Sequence, residues 1–129
     1  MKLLLDAHVA IWWEANHPSL SQAARDLISS ATDDVFVSRS SLWEMAVKVN
    51  LGRLKIDLGR FLHRIEVTGF RWLGIENDHI LAYASLPSFA DHNDPFDRLL
   101  VAQSLTEPLI LVTADAHLAR YGSNVRVVA

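Results

Sequence analysis

No cysteine occurs among the 129 residues, which excludes a disulfide framework, a zinc–thiolate site and a thiol nucleophile. An oxidising compartment therefore gains no support, and a reducing cytoplasm is the expectation. Long apolar runs are missing as well. The opening MKLLLDAHVAIWW is interrupted at Asp6 before it reaches the length of a signal peptide or a membrane span, so it reads as a buried strand running into a helix, with no membrane partner. No linker, repeat or low-complexity stretch divides the chain. With 50% hydrophobic residues, one domain over residues 1–129 with a real core is expected. Net positive charge is lacking too, and the formal charge of −3 counts against a nucleic-acid partner.

That average hides a segregation. Between Arg39 and Arg71 the chain carries Arg39, Lys48, Arg53, Lys55, Arg60, Arg64 and Arg71 against only Glu44, Asp57 and Glu66, while acids concentrate elsewhere. Solvated helix faces are the ordinary explanation for such a stretch. The sharper one is a surface that guides RNA phosphates, with Arg39, Lys48, Arg53 and Arg64 as candidate contacts.

Apolar periodicity yields an alternation of strands and helices. Strands are expected at 2–5, 35–37, 72–75, 109–112 and, as an edge strand, 125–128. Helices are expected after Asp6 through Trp13, and over 21–30, 40–51 (stopped by Gly52), 58–67 (capped by Asp57), 77–86 (ended by Pro87), 95–105 and 116–121. Asp94 is placed to cap the helix that Pro95 opens, where a missing N–H costs nothing. Strands apolar on both faces that alternate with helices imply a three-layer α/β domain with a central, mostly parallel sheet. In such sheets ligands bind beyond the carboxyl ends of the strands, which draws attention to Asp6 and Asp115.

Four acids stand out: Asp6 in LLLDAHV, Glu44 in SLWEMAVK, Asp97 in DPFDRLLVAQ and Asp115 in LVTADAHL, with Asp94 beside the third. Each has a dull explanation. Ser41 to Glu44 fits a capping box, Asp94 fits an N-cap, and Asp97 in the first turn would favour the helix dipole. Caps do not explain why several acids should collect at one edge of one sheet, where mutual repulsion penalises them. A hard divalent cation, Mg²⁺ or Mn²⁺, resolves the difficulty, because it prefers carboxylate and water oxygens. Such an ion can activate water for in-line attack on a phosphodiester and stabilise the leaving oxygen. Zinc is poorly served by a chain without Cys or paired-His spacing. His8, His79, His92 and His117 carry the ordinary expectation of surface or satisfied histidines.

On these residues the chain resembles PIN-domain nucleases over essentially its whole length. The nearest likeness is to a VapC-like bacterial subgroup with an LLLDTHV start, a WE-containing third helix and a DPFDRLLxAQ segment before a VT-x-D turn. The resemblance implies a PIN-like fold and a Mg²⁺-dependent ribonuclease, the toxin of a toxin–antitoxin pair. It implies Asp6, Glu44, Asp97 and Asp115 as the acidic quartet, Asp6 and Asp97 as direct metal ligands, and Asp94 and Thr113 as supporting residues. RNA, a small cognate antitoxin and a second copy of the chain are the implied partners. The adjacent Trp12 and Trp13 add a small hint of an interface, because neighbours on a helix do not share one core direction. One departure is visible: Ala7 stands where relatives carry Thr or Ser, which removes a hydroxyl from the expected metal surroundings.

Two other phosphoryl chemistries fail. A haloacid-dehalogenase-type phosphatase needs a second acid in Asp6-Ala7-His8, and a receiver domain needs adjacent acids there and a Lys after a late strand. The competing reading is a PIN-like module that binds protein or RNA without catalysis. Retention of all four acids argues against it.

Overall fold

The computed structural model describes residues 1–128, and five strands in it form one wholly parallel sheet. They are β1 (Leu3–Leu5), β2 (Val35–Ser38), β3 (Arg71–Leu73), β4 (Ile110–Thr113) and β5 (Val125–Val127), in the spatial order β3-β2-β1-β4-β5. Six α-helices cover it: α1 (Ala7–Glu14), α2 (Gln22–Ser29), α3 (Arg39–Asn50), α4 (Leu58–Thr68), α5 (Asn77–Ala84) and α6 (Pro95–Thr106). Short 3-10 helices occupy Thr32–Asp34 and Ala116–Tyr121. The sheet is flanked by helices on both faces, the three-layer α/β arrangement expected from the alternating pattern.

The pleat sorts the central strand between two cores. Leu3 and Leu5 join Val35, Val37 and Val112 under α1, α2 and α4, whereas Leu4 and Leu111 meet Leu100 and Val101 of α6. All three leucines of β1 have no solvent exposure, which at roughly 1.5–3 kcal/mol each makes this strand the anchor of both layers. The edge strands differ: Arg71 on β3 and Arg126 on β5 are exposed, and charge at an edge discourages pairing with another chain.

Local chemistry ends the helices where the sequence signals it. Asp94 caps α6 by accepting from Phe96 and Asp97 N–H, with Pro95 first in the helix. Gly69 closes α4 in the left-handed region at φ 88°, and Gly52 follows α3 at φ 72°. Differences are small. The third strand begins at Arg71 and stops at Leu73 because it pairs with Phe36 to Ser38, which excludes Gly74 and Ile75 from the expected strand. The helix expected at 116–121 is of the 3-10 kind.

Trp12 and Trp13 are both half-buried within the chain. Trp13 packs against Phe70 at 6.0 Å between ring centroids, and Trp12 lies beside His8 and His17. The pair therefore no longer requires an interface to account for it.

Candidate functional site

The spatial order turns back on itself at β1, whose neighbours β2 and β4 lead to opposite halves of the sheet, and a crevice opens at the carboxyl ends beside such a reversal. Two acids reach it from adjacent strands. Asp6 follows β1 and caps α1, one carboxylate oxygen accepting from Val9 N–H at 2.8 Å. Its other oxygen accepts from the Thr113 hydroxyl at 2.5 Å. The same Thr113 oxygen accepts from Asp115 N–H at 3.0 Å, so one buried hydroxyl ties the first acid to the loop of the last. Parallel pairing of Leu5 with Val112 brings these groups level.

Two further acids arrive on helices. Glu44 lies in the middle of α3, is 6% exposed, and takes an ion pair from Lys48 one turn on at 2.8 Å. The capping box proposed for Ser41 and Glu44 is absent, because the helix starts earlier and Ser38 caps it through Ser40 N–H. Glu44 is thus a buried acid with no duty at its helix terminus. Asp97 is the third residue of α6, its N–H is satisfied by Asp94, and among the described residues no backbone N–H donates to its carboxylate.

Asp6, Glu44, Asp94, Asp97 and Asp115 together line one cleft of about 350 Å³, shared with Lys48, His8, Trp12 and Ala114. Its electrostatics are unbalanced. Burial pushes the Asp97 carboxyl up to about 6, helped by the negative charges of Asp94, Glu44 and Asp6 and opposed by His92. Burial also raises Asp6, against the Thr113 hydroxyl, the Val9 N–H and His8. Asp115 goes the other way: burial would raise it, but the N–H and ring of His117, with His92, hold it below the usual carboxylate range. Lys48 is the single cation lining the cleft among the described residues. A concentration of oxygen donors in which burial resists the ionisation of Asp6 and Asp97, and acidic neighbours resist that of Asp97 further, suits a hard divalent cation. These residues fit a metal ion, although they do not select among Mg²⁺, Mn²⁺ and similar ions.

The other sequence candidates divide. Thr113 sits behind the cleft, and Ala7 is buried at the start of α1. Of the basic residues, Arg39 lies over the Trp72 ring at 4.6 Å, Arg64 reaches Glu14 at 3.3 Å and also lines a separate hollow between α1 and α4, and Arg53 is exposed beyond α3. The histidines hold a surprise. His79 is satisfied by Glu76 N–H and Glu107, as ordinary expectation has it, but His92, Asp97 and Asp115 bring ligand-type atoms within 4.8 Å of one another. The available signal was position: His92 stands in the polar loop directly before Asp94-Pro95.

Comparison with known proteins agrees with this architecture. The PIN domain family model matches residues 3–124. Ribonuclease VapC22 of Mycobacterium tuberculosis is 33% identical over 118 residues, covering 90% of this chain and 88% of that protein. Among solved structures, a chain of VapBC2 from Rickettsia felis, bound to a DNA fragment from their promoter, superposes with TM-score 0.71 at 14% identity, covering all of both chains. FitAcB from Neisseria gonorrhoeae gives 0.67 at 22% identity, over 98% of this chain and 96% of that one. These two show the fold. With the family model spanning both the first acid and the last, and with the VapC22 identity running through nearly the whole chain, this protein belongs to the PIN domain family.

Proposed function

We propose that this chain, as one PIN domain over residues 1–129, is a metal-dependent endoribonuclease acting with Mg²⁺, Mn²⁺ being an alternative, and is the cytoplasmic toxin of a VapBC-type pair. The observation that carries the reading is the cleft itself: four buried or half-buried carboxylates from the end of β1, α3, α6 and the turn after β4 converge where Lys48 is the one Lys or Arg lining it among the described residues. The likeness to Ribonuclease VapC22 supports RNA as substrate, and the solved toxin–antitoxin complexes support a small antitoxin partner.

Asp6 and Asp97 are the residues that would hold the ion, with Glu44 and Asp115 completing the acidic set. When bound, the cation supplies Lewis acidity and lowers the pKa of a coordinated water, which makes hydrolysis without a protein nucleophile accessible. The remaining work belongs to the chain. Thr113 and the Val9 N–H each fix one oxygen of Asp6, Asp94 supports the turn that presents Asp97, and Lys48 orients Glu44. Lys48 lines the cleft, and with Arg39, Arg53 and Arg64 it makes up the proposed RNA contacts. Ala7 adds no hydroxyl, and among the described residues Thr113 is the one side chain that donates a hydroxyl to Asp6.

Self-association as a homodimer is proposed from the family resemblance. It finds support in an apolar hollow lined by Trp43, Ile80, Tyr83, Pro95, Phe96 and Leu99, with Trp43 59% and Ile80 56% exposed. Light scattering on the purified chain tests it.

The decisive experiment is incubation with single-stranded RNA. Cleavage is expected with Mg²⁺ or Mn²⁺, and none with EDTA. RNA binding without cleavage under both metals would favour the non-catalytic module instead. Expression should arrest growth and an adjacent small gene should relieve it; failure of either removes the toxin role.

A further inference from the structure

DPFDRLLVAQ contains a charge that the site described so far does not use. Arg98 is 8% exposed, and among the described residues no carboxylate lies within ion-pair distance of it. Its guanidinium donates to the Pro87 carbonyl at 3.0 Å and to the Tyr121 hydroxyl oxygen at 2.9 Å, lying 5.2 Å from the Tyr83 ring centroid and 5.8 Å from that of Tyr121. Tyr121 in turn lies 3.1 Å from His92 Nδ1, and both residues are buried. The opposite ring nitrogen of His92, Nε2, faces Asp97 Oδ2 at 3.4 Å and Asp115 Oδ2 at 4.0 Å.

Hydrogen-bond satisfaction along this row favours one tautomer. A guanidinium only donates, so the Tyr121 oxygen accepts from Arg98 and keeps its own hydrogen to place. Among the described residues its partners are Arg98 and His92 alone. If His92 Nδ1 carried a hydrogen, the buried Tyr121 hydrogen would have no acceptor, a cost of about 1–3 kcal/mol. With Tyr121 donating to Nδ1 every group is satisfied, and the ring bears its hydrogen on Nε2. That nitrogen then has no lone pair for a metal.

Resting on the reading of this cleft as a metal-dependent nuclease site, we infer that His92 is a positioning residue rather than a ligand. Arg98 and Tyr121 hold it as the Nε2–H tautomer, and it directs that hydrogen at the Asp97 and Asp115 carboxylates. Asp115 is gripped from the other side, where His117 Nδ1 meets Oδ1 at 2.9 Å and the two imidazoles stack with ring centroids 6.4 Å apart. Outer partners of this kind orient ligating carboxylates and tune their affinity. The Arg of DPFDR thereby acquires a role three groups away from the acids.

The test uses the unmodified, ¹⁵N-labelled chain at pH 7.5, with the His92 ring signals assigned through loss in His92→Gln. Long-range ¹H–¹⁵N correlation is expected to show hydrogen on Nε2 alone, before and after saturating Mg²⁺, and to show that preference lost in Tyr121→Phe. Hydrogen on Nδ1, on both nitrogens, or loss of the Nε2 hydrogen on adding Mg²⁺ overturns the inference. Calorimetric titration with Mn²⁺ adds a second readout. A Gln amide can donate at the Nε2 position, so His92→Gln is expected to bind within about threefold of the parent, and His92→Ala about tenfold more weakly. Equal loss in both variants would make His92 a ligand, and no loss in either would leave it idle. Both measurements are independent of cleavage, so an inactive parent chain would bring down the ribonuclease reading and still leave these outcomes to decide the tautomer.

Discussion

Asp6 and Asp57 do the same local job. Each stands one residue before a helix and accepts from the N–H three residues on, Asp6 from Val9 at 2.8 Å and Asp57 from Arg60 at 3.0 Å. Their surroundings have nothing in common. Asp57 is exposed at the start of α4, whereas Asp6 is 6% exposed with Glu44, Asp97 and Asp115 around the same cleft. Capping accounts fully for Asp57, since an exposed carboxylate at a helix N-terminus stabilises by about 1 kcal/mol and costs little. It does not account for Asp6, because a buried carboxylate among like charges loses more than a cap returns unless a cation joins it. Asp97 sharpens the contrast: it caps nothing, and its carboxyl is pushed up to about 6.

The largest expected effect separates these acids by activity. Asp97→Asn should lower RNA cleavage by at least about 100-fold, because an amide is a poor ligand for a hard cation. Asp57→Asn should leave cleavage at the parent rate, since Asn caps about as well as Asp. Rates that fall together would show that helix integrity, not the cleft, carries activity. Metal response comes next. Mg²⁺ at about 100 times its dissociation constant should stabilise the parent by about 2.7 kcal/mol through mass action, and Asp57→Asn equally. Asp97→Asn should respond much less in a thermal unfolding series, and an equal response would remove Asp97 from the ion.

The third effect is a pH dependence with a definite sign. In metal-free protein the folded-state value for Asp97 is about 6, against 3.8 ordinarily. Between these limits the folded chain holds a proton that the unfolded chain has released. Stability from this group is therefore greatest at low pH and is lost as pH rises toward and through 6. Asp6, also raised, acts in the same direction; Asp115, lowered, acts in the opposite one, and only as pH falls through the ordinary carboxylate range. Unfolding in EDTA at pH 5 and pH 7 should show the parent gaining at pH 5 relative to Asp97→Asn. Discounted for partial exposure of Asp97, the gain is on the order of 1 kcal/mol or less. An identical difference at both pH values would mean that neither burial nor the field of Asp94, Glu44 and Asp6 raises Asp97 in solution.

The same contrast marks what was legible in the residues. Elements with local signals, such as Asp94-Pro95 opening α6 or Gly52 after α3, stand where their chemistry places them, because caps and breakers act within one turn. Asp6 and Asp115 could be expected together from the rule about strand ends. Glu44 could not be separated from a capping box by spacing, since Ser41-x-x-Glu44 satisfies that pattern, and only the earlier start of α3 at Arg39 dissolves it. Arg98, Tyr121 and His92 gave no signal at all as a group. Their link runs across 29 residues between His92 and Tyr121, and nothing local relates a loop, a helix and a 3-10 turn until the sheet has closed.

The smallest effect concerns the basic stretch, where one cation belongs to the cleft and the others do not. Lys48 lines the acids, Arg53 is exposed beyond α3, and Arg64 reaches the nearly buried Glu14 at 3.3 Å while half of its own side chain stays exposed to phosphate. If an RNA strand leaves the cleft across this side, each contacted phosphate contributes about 0.7 to the slope of log affinity against log salt. The double variant Arg53→Ala/Arg64→Ala is therefore expected to flatten that slope by about 1.4 and to weaken binding severalfold. Anisotropy with a fluorescent single-stranded RNA between 50 and 200 mM salt measures both on the order needed to resolve one contact. Using Asp97→Asn as the background keeps the RNA intact during titration. An unchanged slope in the double variant, beside a reduced one in Lys48→Ala, would confine RNA contact to the cleft and return the remaining basic residues to solvated helix faces. A slope reduced only in the double variant would route the strand over α4 and make Lys48 a partner of Glu44 alone.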